Sequence, residues 1–291
     1  MSSTTLLFSC ALRYRVRRMV LLRNAAAGDY PAFARLFDVL ETGDPPYLRE
    51  RFEREIMPNA TVATLDGNVV GYVYFAQFGE SSLHVRHLAV AAEHRRCGLG
   101  RQLLEHAHEQ ARAQGARTAR LNVRDDNPAA RALYESVGYI YLHSSVIVRL
   151  PWSRLPPADP THSAEPIEPP ADASIEHSFA LLDGTLQDAR TRGRVLKVIK
   201  ETAGAEPLAA CVFDPTFPGC PVFRVRAPDR AACATALLHA IHAYAGDQPW
   251  VQLVTEGDPE LAAWLEHIGA KVHLRVDLMQ ASLAPAARTF R

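Results

Sequence analysis

Arg95-Arg96-Cys97-Gly98-Leu99-Gly100-Arg101 brings three guanidinium groups and two glycines into seven consecutive positions. Arginine offers charge with fixed N–H donors, and glycine lets a ligand or a neighbouring backbone come close. Val85, Leu88, Ala89 and Val90 ahead of this stretch form a short apolar run rich in strand formers, whereas Leu99, Leu103, Leu104 and Ala107 after it recur at helical spacing. The turn therefore lies where a strand feeds a helix, and its glycines fall at the first helical turn. Helix starts carry unpaired backbone N–H groups and the positive end of the helix dipole. A pyrophosphate would be held there by backbone donors and arginines together. The six-residue glycine loops of dinucleotide and P-loop proteins are both absent.

A second stretch follows at Asp126-Asn127-Pro128-Ala129-Ala130-Arg131-Ala132-Leu133-Tyr134-Glu135-Ser136-Val137-Gly138-Tyr139. Asn127 as cap, Pro128 at the first helical position and Gly138 as the stop define a short helix by local chemistry alone. Thr118 to Val123 reads as the strand that leads into it.

Together the two stretches resemble the GNAT acetyltransferase superfamily. Arg95-x-x-Gly98-x-Gly100 after the strand end Leu88-Ala89-Val90 is similar to that family's acyl-CoA signature. Asn127-x-x-Ala130 with Leu133-Tyr134-Glu135-x-x-Gly138-Tyr139 is similar to the second half of its core. The resemblance implies a GNAT-like mixed α/β sheet flanked by helices, with acetyl-CoA as the acyl-donor substrate and no metal. It implies that Leu88, Ala89 and Val90 pair through their backbones with the amide-bearing arm of CoA. Arg95, Arg96, Cys97, Gly98, Leu99, Gly100 and Arg101 would hold the pyrophosphate, with the Cys97 side chain a small filler. Asn127 would add a CoA contact to its capping role. Tyr134 would lie near the sulfur and hydrogen-bond or protonate the departing thiolate, a phenol of pKa about 10 against a thiol of about 8.5.

The general base is open. His84 and, on the other face of a regular strand, His87 are candidates by their pKa range, and Arg86 stands where the resemblance leads one to expect a glutamate. The base matters to the acceptor. At pH 7 a lysine-like amine costs about 4.6 kcal/mol to deprotonate, an α-amine only about 1.4. The expected function is transfer of acetyl to a primary amine of a small molecule or protein; the alternative is a non-catalytic acyl-CoA-binding or interaction module.

These residues need a scaffold, and the 291-residue length favours two domains. With 32 basic and 32 acidic residues and 48% hydrophobic content, composition points away from nucleic-acid and membrane-surface partners. Cys10, Cys97, Cys211, Cys220 and Cys233 are scattered without metal spacing, which fits a reducing, cytoplasmic setting. The oligomeric state is left open. Residues 1–19 read as an extension that need not be ordered, the run Leu6 to Leu12 being too short for a signal peptide and followed, not preceded, by arginines. Residues 20–150 read as the catalytic domain. Within them Val20-Leu21-Leu22-Arg23 is a first strand, Asp29 and Pro31 open a helix, Leu48, Phe52 and Ile56 recur at helical spacing, and Asp66-Gly67-Asn68 joins two strands as a hairpin.

Residues 151–172 are proline-rich and read as an extended linker. Residues 173–291 repeat the first half in weaker form. Asp258-Pro259…Leu265-Glu266…Gly269 matches Asn127-Pro128…Tyr134-Glu135…Gly138 at a fixed offset, but Leu265 replaces the tyrosine and no glycine pair precedes the helix near Arg230. A degenerate, GNAT-like second domain is the expectation.

Overall fold

The computed structural model describes residues 19–78, 81–158, 160–201, 205–226 and 228–284; residues 1–18 of the proposed N-terminal extension, Cys10 included, lie outside them. The chain divides into two compact units, neither of them contiguous. The first comprises Met1–Asn122, Asn127–Ile140 and Met279–Arg291, the second Val123–Asp126 and Tyr141–Leu278.

In the first unit β1 (Val20–Asn24) pairs antiparallel with β2 (Ala60–Leu65), β2 with β3 (Asn68–Phe78), and β3 with β4 (Ser82–Val90). Asp66 and Gly67, both at positive φ (50° and 81°), make the expected hairpin turn. Between β1 and β2, α1 (Tyr30–Phe37) is followed by a short α2 (Arg49–Arg51), which continues as a π-turn over Phe52–Ile56. Phe33, Leu36, Phe37, Phe52 and Ile56 bury this helical face against Val62, Tyr72, Tyr74 and Ala89. Asp29 opens α1 without capping it; its carboxylate instead takes both guanidinium nitrogens of Arg23 at 2.7 and 2.8 Å.

The chain then runs through the arginine-glycine turn into α3 (Leu99–Ala113), β5 (Thr118–Arg124) and α4 (Pro128–Glu135). β5 lies parallel to β4. On the other side of β5 the last described residues complete the sheet. Leu283 N–H donates to the Arg117 carbonyl at 2.7 Å, and Arg120 Nε donates to Gln280 Oε1 at 2.8 Å. Sequence alone places residues 279–283 with the second half. Strand pairing across 160 positions leaves no local mark, so that boundary differs from the observed one.

The second unit is built on β6 (Ile140–Pro151), β7 (Glu165–Pro166), β8 (Val195–Lys200), β9 (Pro207–Asp214), β10 (Gly219–Val225), β11 (Trp250–Val254) and the first part of β12 (Lys271–Ser282). Its helices are α5 (Asp172–Ser178), α6 (Thr185–Thr191), α7 (Arg230–His242) and α8 (Pro259–His267). The proline-rich stretch is part of this unit and not a free linker. Glu165 and Pro166 form an edge strand on β8, Ile167 is buried beside Ile175 and Leu186, and the Pro156 carbonyl meets His239 Nε2 at 2.8 Å. The few apolar residues of the stretch suffice to dock it.

The internal repeat is visible atom by atom. Asn127 Oδ1 accepts from Ala130 N–H at 3.0 Å, and Asp258 Oδ1 accepts from Leu261 N–H at 2.9 Å. Gly138 and Gly269 end the two helices at φ 93° and 108°. Immediately after them Tyr139 N–H returns to the Tyr134 carbonyl and Ala270 N–H to the Leu265 carbonyl. β10 and β11 repeat the parallel pairing of β4 and β5.

Candidate active site

The parallel pairing of β4 with β5 runs from Ser82↔Thr118 to Val85↔Leu121 and stops. At this point β4 also carries a bulge: Tyr74 stands opposite His87 and Phe75 opposite Val85, so Arg86 is an extra residue in the ladder. Beyond it, His87 to Val90 keep their pairing with β3 and have none with β5. The two strands part, and the β5-facing backbone groups around Leu88, Ala89 and Val90 are left for another partner.

At the end of β4 the turn takes a tight course, with Arg96 at φ 65° and Gly98 at φ 83°. Only glycine adopts the latter at little cost. The first α-helical bond of α3 runs from Gln102 N–H to the Gly98 carbonyl. The N–H groups of Leu99, Gly100 and Arg101 therefore precede the helical ladder and form a positive helix start. The two glycines differ in purpose. A Cβ on Gly98 would meet only Gln102 Nε2, at an ordinary 3.9 Å, but on a strained backbone, whereas one on Gly100 would stand 3.1 Å from Leu133 Cδ2 of α4. Gly100 lets α3 and α4 approach.

The arginines separate likewise. Arg95 Nε donates to the Val90 carbonyl at 3.1 Å and ties the turn to the strand end. Arg101 reaches α4, donating to the Ser136 carbonyl at 3.2 Å and to its Oγ at 2.7 Å. Arg96 is exposed. The Cys97 thiol donates to the His94 carbonyl at 2.8 Å and fills the turn. Asn127 is engaged as the cap of α4.

Tyr134 is 8% exposed. Its hydroxyl has no hydrogen-bond partner among the described residues, and it is not among the side-chain atoms sealed from solvent without one. The phenol thus borders open space while its ring is packed. Burial pushes its pKa up to about 12.

The bulge changes the reading of the histidines. Tyr74 and Ala76 share one face of β3 and stand opposite His87 and His84, so both imidazoles project from the same face, not opposite ones. His87 is ringed by Phe33, Phe37, Tyr47, Tyr72 and Tyr74, with centroids 5.2 to 6.4 Å away. Its Nδ1 lies 3.4 Å from the Tyr72 hydroxyl. Desolvation, with Arg86 and Arg51 nearby, lowers its pKa to about 3. Desolvation, with Arg86 and Arg120, likewise holds His84 well below the usual imidazole range. Both are neutral at pH 7, and both are weak bases.

Among its described residues the second unit lacks this equipment. Asp229 stands before α7, Arg230 is engaged by Asp258 at 3.1 Å and Glu260 at 2.5 Å, and Leu265 is fully buried where Tyr134 has its counterpart. Among the described residues no cluster of three or more His, Cys, Asp or Glu stands ready for a metal, and no helix is long and apolar enough to cross a membrane.

A parted parallel strand pair thus opens onto a glycine-started helix, with a phenol on the next helix. Residues 23–139 match the acetyltransferase (GNAT) family, and this part of the chain is a GNAT acetyltransferase domain. A 52-residue stretch is 48% identical to the [ribosomal protein bS18]-alanine N-acetyltransferases of Escherichia coli K12 and Salmonella typhimurium LT2. That stretch covers 18% of this chain and 35% of those relatives, about a third of their length. Among solved structures, a GCN5-related N-acetyltransferase from Sphaerobacter thermophilus superposes with TM-score 0.65 at 21% identity, over 91% of this chain and 96% of that one. A tandem GNAT protein from the clavulanic acid biosynthesis pathway gives 0.57 at 18% identity, over 92% and 99%. Both whole-length matches extend the GNAT-like fold to the second half.

Proposed function

We propose that the first unit transfers the acetyl group of acetyl-CoA to a primary amine of a small molecule or protein, and that an α-amine is the preferred acceptor. The observation that carries this is the parting of β4 from β5 after Val85 and Leu121, beside the Gly98 helix start and the unpartnered Tyr134 hydroxyl. CoA lies with its pyrophosphate on the start of α3 and its amide-bearing arm along Leu88–Val90. The amine nitrogen attacks the thioester carbonyl, the C–S bond breaks, and the amine's extra proton passes to water. With a phenol near pKa 12 and a thiol near 8.5, full proton transfer from Tyr134 to sulfur costs about 4.8 kcal/mol. Tyr134 therefore acts chiefly by hydrogen-bonding the thiolate as it leaves.

The acceptor preference rests on the histidines. Neither His84 nor His87 is basic enough to draw a proton from a lysine-like ammonium, and an α-amine needs far less help. The curated relatives' acceptor, an alanine, has only an α-amine. The test is thiol release from acetyl-CoA by the full chain with matched α-amine and ε-amine peptides, and with Tyr134→Phe. We expect α-amine turnover to dominate and the variant to lose about 10²- to 10³-fold in kcat. Absence of thiol release with every amine would leave the non-catalytic acyl-CoA-binding reading in its place; wild-type turnover by the variant would remove Tyr134 from the chemistry.

A further inference from the structure

α3 carries the phosphate turn at its start and α4 carries Tyr134 near its end, so the distance between turn and phenol depends on how the two helices are held together. Besides the Gly100–Leu133 approach and the Arg101–Ser136 bonds, one tie is wholly buried. His108 of α3, 3% exposed, meets the Tyr139 hydroxyl through Nε2 at 2.8 Å, and Tyr139 is 2% exposed. The Tyr139 ring packs at 5.9 Å from the Tyr134 ring, and its N–H donates to the Tyr134 carbonyl at 3.1 Å. Tyr134 is thereby gripped through backbone and ring by a residue anchored to α3.

We infer that His108 and Tyr139 are positioning residues for Tyr134, fixing its hydroxyl relative to the phosphate turn so that it meets the thioester sulfur; this rests on the role proposed for Tyr134 above. Burial, helped by Arg112, lowers the His108 pKa to about 4, and burial raises that of Tyr139. The pair is neutral across the working range and holds one hydrogen bond in a dry setting, where such bonds are strong and their loss leaves a polar atom stranded. Neither side chain touches substrate in this arrangement. Their effect is geometric, and displacement of a catalytic group by about 1 Å can cost up to 10²-fold in rate.

The experiment is a double-mutant cycle in the full chain. Tyr139→Phe keeps the ring and removes the hydroxyl; we expect kcat to fall about 10- to 100-fold with the Kd for CoA unchanged. His108→Gln, which can still bond the phenol, should retain most of the activity. In a Tyr134→Phe background, Tyr139→Phe should cost nothing further, because no hydroxyl remains to aim. An equal loss in both backgrounds, a loss of CoA affinity in place of kcat, or unchanged turnover in Tyr139→Phe would each overturn the inference. Wild-type turnover by Tyr134→Phe alone would instead fail the reading beneath it, and the inference with it. A variant that does not fold is replaced by His108→Leu with Tyr139→Phe, which strands no polar atom and must show the same coupling.

Discussion

Acidification should loosen the first unit by an amount set by its histidines. His87 and His108 have folded-state pKa values of about 3 and about 4, against about 6.5 in an unfolded chain. Between those limits the unfolded state binds the extra protons, so the stability these groups confer is complete above pH 6.5 and lost as pH falls. From pH 7 to 5 the loss is about 2 kcal/mol for each, roughly 4 together, and His84 adds to it in the same direction. Asp29 does not contribute in this window. Its pKa is lowered by the Arg23 hydrogen bond, so it stays ionised. The perturbation is the pH change in wild type and in His87→Phe, which keeps a ring among the five aromatic neighbours but cannot titrate. The assay is hydrogen–deuterium exchange of peptides from β3 and β4, corrected for the intrinsic pH dependence of amide exchange. Wild type should lose at least roughly 4 kcal/mol of protection, and His87→Phe about 2 kcal/mol less than wild type. A flat wild-type profile, or an identical slope in the variant, would refute the burial argument and reopen His87 as a working base.

The two glycines of the turn should separate in experiment. Gly98→Ala forces a Cβ onto φ 83° at about 1–2 kcal/mol, and calorimetry should show acetyl-CoA binding weakened about 5- to 30-fold with the fold intact. Gly100→Val pushes on Leu133 from 3.1 Å and shifts α4, so kcat as well as affinity should drop in steady-state assays; an effect on neither would detach α4 from the site. The chain should bind one CoA, not two, since Asp229 stands at the start of α7 and Leu265 fills the tyrosine position; a titration reaching two equivalents would contradict this.

Local chemistry wrote much of this fold plainly. Asn127-Pro128 and Gly138 define α4 within a few residues, Asp66-Gly67 defines a hairpin, and the arginine-glycine turn marks the start of α3. What sequence hid depends on pairing between distant segments. The bulge at Arg86 exists only in the register of β4 against β3, so period-2 reasoning set His84 and His87 on opposite faces. The part Gly100 has in helix approach needed the position of Leu133, and the bonds from Arg101 to Ser136 needed the placement of α4. His108 did carry a signal. It falls on the buried stripe of α3 with Leu104, Ala107 and Ala111, where a polar residue needs a partner, and Tyr139 closes the motif that contains Tyr134.

Because residues 279–283 lie along β5, a ribosome must make the chain through residue 283 before the acetyltransferase sheet can close. Until then β5 is an open edge, a surface other strands can join. Closing a loop of some 160 residues adds only a slowly growing entropy cost, but such distant contacts slow folding and lengthen exposure of that edge. An expression fragment ending at residue 150 would keep every motif of the transferase and lack the strand that closes its sheet. Such a fragment should aggregate, and a peptide spanning residues 271–284 supplied in trans should rescue it.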